Sequence, residues 1–172
     1  MKNNMSFFTT IKKRRSIRSF SIRHVEVSKI NKILKVASMS PSAKGLQSFR
    51  IYIVTNEKKK QSLVRAAHDQ KYVNAPLLLV FCTEPNRIKK IMGTRGKDLF
   101  SVQDATIAAS YAQLASTALG LSSVWIGNFN EKSVQKIIKT KFKPVVLLPI
   151  GYPNEKPDKK QTRKLKDIIY KV

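Results

Sequence analysis

The sequence predicts an α+β domain built in packed layers, and three observations carry that prediction. Strand-like and helix-like segments interleave along the chain. Leu77-Leu78-Leu79-Val80-Phe81 is an unbroken apolar run of strand length, the pattern of a central strand covered on both faces. Asp104 to Leu119 keeps helical spacing through an alanine-rich stretch.

Taken in order, Ser28 to Met39 reads as an amphipathic helix, with Ile30, Ile33, Leu34 and Ala37 at steps of three and four and Ser28 placed to cap it. It stops at Ser40-Pro41. Phe49 to Val54 alternates and is rich in β-branched and aromatic residues, so it reads as a strand. After Asn56, helical spacing returns from Glu57 to Ala67 through Leu63, Val64 and Ala67. Pro76 precedes the central apolar strand. Asn86 to Lys97 is basic and interrupted by glycine, and it reads as a loop with room for a short helix over a ligand site. In the Asp104–Leu119 helix, the small side chains of Ala105, Ala108, Ala109, Ala112 and Ala115 let neighbouring backbones come close, and Gly120 suits a left-handed helix end. Ser122 to Ile126 reads as a short strand, Glu131 to Thr140 as a helix with Val134, Ile137 and Ile138 inward, and Val145 to Ile150 as a buried strand. The segment 154–172 is a polar tail with a last apolar stripe of Leu165, Ile168 and Ile169.

Composition narrows the classes. A chain of 172 residues suits one domain, here residues 1–172, with a proper core. Cys82 is the only cysteine, which excludes an intrachain disulfide and a clustered-thiolate metal site, and no metal is expected. The first ten residues lack a signal-like apolar run, and nothing approaches the roughly 20 apolar residues of a membrane span. A soluble, cytoplasmic protein without a membrane partner is the expectation. Lys and Arg number 34 against 10 Asp and Glu, a net charge of +24, so nonspecific attraction of polyanions follows. The basic residues are dispersed, and neither zinc-finger spacing nor an RNP-like signature accompanies them, which leaves specific nucleic-acid recognition a minor alternative.

Side-chain chemistry is sparse. His24 and His68 lie in polar segments without metal-ligand spacing, and the carboxylates are scattered. Asp104 reads as a helix N-terminal residue favoured by the macrodipole. Cys82 reads as an inert core thiol. Neither a Walker loop nor a Gly-x-Gly-x-x-Gly fingerprint occurs, so an enzyme built from this chain takes its chemistry from a cofactor rather than a catalytic side chain.

Four segments stand out: Arg14-Arg15-Ser16-Ile17-Arg18; Pro41-Ser42-Ala43-Lys44-Gly45-Leu46-Gln47; Trp125-Ile126-Gly127 after Ala-Leu-Gly-Leu; and Leu148-Pro149-Ile150-Gly151-Tyr152-Pro153 followed by Arg163. In this order and spacing, from about Ile11 to Arg163, they resemble the nitroreductase family of FMN-dependent oxidoreductases. The resemblance implies a central mixed sheet flanked by helices in three layers, and a homodimer in which both subunits build each flavin site. NADH or NADPH would reduce FMN, which then reduces a small organic acceptor such as a nitroaromatic or a quinone. It implies that Arg14, Arg15, Ser16 and Arg18 hold the flavin phosphate and part of the ring system, with Arg163 and Lys160 joining from the tail. Pro41, Ser42, Ala43, Gly45 and Gln47 would reach the flavin from the partner subunit, and Trp125, Ile126 and Gly127 would pass beside its reactive face. Gly45 and Ser48 depart from the family pattern, which carries asparagine and proline there. By the residues alone, Arg163 reads equally as an exposed charge, the 41–47 segment as an ordinary loop and Trp125 as a core aromatic. A specialised flavin reaction, such as dehalogenation, enone reduction or flavin breakdown, is the alternative activity, and a flavin- or nucleic-acid-binding protein without turnover the alternative class.

Overall fold

Strand β2 (Leu77–Thr83) is buried at every position, and the rest of the fold is arranged to cover it. The computed structural model describes residues 6–157 and 162–172. Its sheet has the order β1-β2-β4-β3, with β1 at Phe49–Val54, β3 at Ser122–Ser123 and β4 at Pro144–Gly151. All strand pairs are antiparallel. The mixed character expected of the sheet comes from outside the named strands, in an isolated parallel bridge between Ser16 and Ser123.

Because side chains alternate along a strand, β2 and β4 feed two cores. Leu77, Leu79 and Phe81, with Val146, Leu148 and Ile150, pack on α2 (Val27–Ser38) and α5 (Ser101–Ala118). Leu78, Val80 and Cys82, with Leu147, pack on the opposite side against α3 (Glu57–Ala66) and α6 (Glu131–Ile138). The result is the expected sandwich of helices, sheet and helices. Ala108, Ala109 and Ala112 are wholly buried, which lets α5 lie close to the sheet. Gly120 takes the left-handed conformation (φ 75°) that ends this helix.

Several elements differ from expectation. Helix α1 (Phe7–Lys13) has only Thr10 buried, so no apolar stripe announced it. α2 begins one residue early with Glu26 at the cap position, and Glu26 makes no capping bond. Its carboxylate instead accepts 2.7 Å hydrogen bonds from the Tyr152 hydroxyl and the Arg23 guanidinium. Residues Asn86–Arg95, read as a loop with room for a short helix, are helical over that whole span as α4; Ile88 is its one buried residue, and Gly93 (φ 57°) kinks it. α4 continues through a π-helical turn, Gly96–Phe100, directly into α5, which therefore starts before Asp104. β3 ends at Ser123, and only Ile126 makes a further bridge, to Leu147. Pro149 lies between these contacts on β4 and has no N–H to continue the ladder. Lys60 belongs to a basic run yet is only 4% exposed: its ammonium donates to the Ala75 carbonyl (3.1 Å) and pairs with Glu57 (2.6 Å). Leu165, Ile168 and Ile169 in the tail are exposed.

Candidate functional site

The segment Arg14–Arg18 is positioned from both ends. Its one apolar residue, Ile17, is buried, and the Ile17 amide donates to the Ser123 carbonyl at 3.2 Å. The following residues are stitched to the turn after β4: Ser21 N donates to Tyr152 O and Asn154 N to Ser19 O, both at 2.9 Å, and Arg18 N donates to the Glu155 carboxylate. The four polar members then divide. Arg15 turns its guanidinium back onto the carbonyls of Lys12 and Arg14, at the C-terminus of α1. No hydrogen bond among the described residues engages the side chains of Arg14 and Ser16. The Arg18 guanidinium lies 6.0 Å from the centre of the Tyr72 ring. Chemically this leaves guanidinium forks and a hydroxyl, the donor set that suits a phosphate.

Tyr72 brings in a residue that sequence reading missed. Its hydroxyl donates to Gln70, and Gln70 Nε2 donates to the carbonyls of Ala67 (2.7 Å) and Asn128 (3.0 Å). Gln70 and Tyr72 therefore link Arg18 to the chain just past Gly127. Nothing local distinguishes these two residues in a polar turn; only the fold brings them here.

The bridge at Ser123 places Trp125-Ile126-Gly127 next along the same edge. Trp125 is half-buried against the α2–α5 core. Ile126 is buried, and both its N–H and its C=O are satisfied by Leu147 at 3.1 Å, so its main chain is committed to the sheet. Gly127 is exposed, and an added Cβ would meet nothing nearer than Trp125 Nε1 at 3.9 Å. Packing among the described residues therefore does not require glycine at 127.

The loop Pro41–Gln47 hangs from a different support. Three of its residues have positive φ: Lys44 (52°), Gly45 (67°) and Gln47 (48°). Ser42 Oγ accepts from Gln47 N at 3.0 Å, and Gln47 Nε2 donates to the Ser38 carbonyl. Asp104, expected to serve the helix dipole, is instead buried and accepts hydrogen bonds from Ala43 N (2.9 Å), Ser48 N (3.1 Å) and Ser48 Oγ (2.6 Å). On the outer side, Arg87 Nε of α4 donates to the Leu46 carbonyl at 2.9 Å, beside an open cleft of 850 Å³ bordered by Asn86, Lys89 and Lys90. Among the described residues no hydrogen bond joins this loop to Arg14–Arg18 within one chain.

The tail candidates are not assembled with the others. Arg163 is exposed and donates to the Asp167 carbonyl in its own segment, and Lys160 lies outside the described residues. Cys82 is wholly buried, and burial pushes its thiol up to about 12, in line with an inert core role. No helix among the described residues is long and apolar enough to cross a membrane.

Comparison with known proteins gives this geometry a family. The sequence profile of the nitroreductase family matches residues 11–74 and 69–152. An FMN-dependent nitroreductase of Clostridium difficile is 31% identical, with a TM-score of 0.75 and 94% of each chain covered. The NADPH:FMN oxidoreductase of Vibrio harveyi, in complex with NAD+, is 25% identical, with a TM-score of 0.88 over 95% of this chain and 76% of its own. An FMN reductase (NADPH) of Bacillus subtilis is 27% identical over 177 residues, 94% of this chain and 71% of its own length. The chain belongs to the nitroreductase family.

Proposed function

We propose that this protein is an FMN-dependent NAD(P)H oxidoreductase that works as a homodimer and reduces a small organic acceptor of the nitroaromatic or quinone type. The observation that carries this reading is the bridge between Ser16 and Ser123, which ties the segment bearing the uncommitted side chains of Arg14 and Ser16 to the sheet edge that runs on to an unobstructed Gly127. The relatives named above, called FMN reductase and NADPH:FMN oxidoreductase, support the choice of cofactor and reductant.

The residues present fit FMN. Arg14 and Ser16 offer donors to its phosphate, and Arg18, its guanidinium 6.0 Å from the Tyr72 ring, offers a charge to the pyrimidine edge of the flavin. Glycine at 127, unexplained by packing among the described residues, lets a flat ligand lie on the main chain. Bound FMN supplies the redox chemistry, taking hydride equivalents from NADH or NADPH and passing electrons to the acceptor. The protein's part is to bind and orient the ring and to keep one face open to both substrates. A partner copy is favoured by the apolar surface left uncovered, namely Phe7 and Phe8 (67% and 74% exposed) on α1, Tyr111 on α5, and Leu165, Ile168, Ile169 and Tyr170 in the tail. The 41–47 loop, standing apart from Arg14–Arg18, would then meet the flavin held by the other subunit.

Denaturing the purified protein and identifying the released chromophore tests the cofactor. Anaerobic reduction with NADH and NADPH in turn tests the activity, and sedimentation tests the dimer. A protein that releases no flavin and takes up none would overturn the reading.

A further inference from the structure

We propose that Asp104 is a positioning residue of the flavin site, holding the partner-facing loop 43–48 in its working conformation. The inference rests on the reading of that loop as a flavin contact. The carboxylate is 2% exposed and enters no ion pair among the described residues. It accepts from both ends of the loop at once, from Ala43 N on one oxygen and from Ser48 N and Oγ on the other. Between these two anchor points the backbone turns through left-handed Lys44, Gly45 and Gln47. Two of the three are not glycine, and such conformations persist only where the surroundings over-determine them. Asp104 is therefore the closure of a strained loop, drawn from the start of the helix that forms the floor of the fold.

The geometry is specific to a carboxylate. An amide at this position has one acceptor oxygen and one NH2. In either orientation the NH2 faces a backbone N–H, that of Ala43 or that of Ser48, and donor meets donor. Asp104→Asn therefore frees one end of the loop while keeping size and burial nearly constant. Ser48→Ala is the milder test, since it removes only the hydroxyl and leaves both backbone anchors in place.

The experiment uses the full-length protein. Hydrogen exchange read on peptides spanning 40–49, before FMN is added, reports on the clamp alone. FMN titration by fluorescence quenching, with the visible spectrum of the bound flavin, reports on the site. For Asp104→Asn we expect faster exchange at Ala43 or Ser48, an FMN dissociation constant raised about 10-fold or more by the lost charge-assisted bonds, and an altered flavin spectrum. Ser48→Ala should fall between it and wild type, and it carries the test alone if Asp104→Asn does not fold. Unchanged exchange in the variants overturns the clamp. Faster exchange with wild-type FMN affinity and spectrum overturns the positioning role. Wild-type protein that binds no FMN instead sinks the reading on which the inference rests.

Discussion

Arg14 and Arg15 are neighbours of the same type, and the structure predicts opposite consequences for their loss. Arg14 directs no hydrogen bond to the described protein, so Arg14→Ala removes a donor that only a ligand would use. A charge-assisted hydrogen bond contributes about 1.5–3 kcal/mol, which corresponds to a rise of about 10- to 150-fold in the FMN dissociation constant. Arg15 spends its guanidinium on two carbonyls at the end of α1, where a cation also meets the negative end of the helix. Arg15→Ala should therefore cost stability, about 1 kcal/mol, read as a lowering of Tm by roughly 2–4 °C in a chain of this size, with FMN affinity changed far less. Titrations belong at about 0.15 M salt, where the Debye length is short and the diffuse attraction of a +24 protein for any anion is screened. If Arg15→Ala weakens FMN binding more than Arg14→Ala and leaves the melting temperature alone, the two arginines do not divide their labour in this way.

Three further outcomes follow from single contacts. A Cβ at Gly151 would stand 3.0 Å from Pro76 Cδ and 3.1 Å from Phe20 Cδ1, so Gly151→Ala should destabilise by about 1–3 kcal/mol in denaturant unfolding; an unchanged midpoint would show that Phe20 yields freely. The Tyr152 hydroxyl above all, then the Glu26 backbone amide, Lys29 and Arg23, hold the Glu26 carboxyl at about 2 rather than 4.5. Its folded value is depressed, so the stabilisation is full above about pH 4.5 and is lost as pH falls toward 2. Tyr152→Phe should flatten the acid limb of the stability profile in that window, and an acid limb identical to wild type would remove the network from the account. Cys82 should react with a thiol reagent only as fast as the protein opens; rapid stoichiometric modification of the native protein would contradict its burial.

The parts of the fold that were legible in the sequence are those whose burial is written in local periodicity. β1 ran from Phe49 to Val54 as the alternation indicated, β2 from Leu77 as the apolar run indicated, and the alanines of α5 lay against the sheet. Elements with little burial left no such trace. α4 is a basic helix with Ile88 as its only buried residue, so it read as a loop with room for a short helix, and α1, which exposes both phenylalanines, carries no apolar stripe from which to read a helix. The end of β3 was set by an absent N–H on Pro149, 25 residues downstream of Val124 in sequence and hydrogen-bonded to it through its carbonyl. A strand's length depends on its partner's donors as well as on its own side chains.

The candidate site divides along the same line. Arg14, Ser16, Arg18 and Gly127 stand out as candidates because their residue types and order carry a pattern, and the fold ties the first of these segments to the edge leading to the second through Ser123. Gln70, Tyr72 and Asp104 could not, because what marks each of them is a partner distant in sequence. Asp104 is the sharpest case. A carboxylate early in a helix has a sufficient local explanation in the helix dipole, and that explanation predicts an exposed group. Burial with three donors, two of them backbone amides of a loop 56 to 61 residues earlier, is a different physical state of the same residue. The distinction has a practical consequence. A dipole contribution would be indifferent to the Ser48 hydroxyl, whereas a clamp loosens from either side, so faster exchange of the loop in Ser48→Ala, smaller than that in Asp104→Asn, is the signature that separates the two.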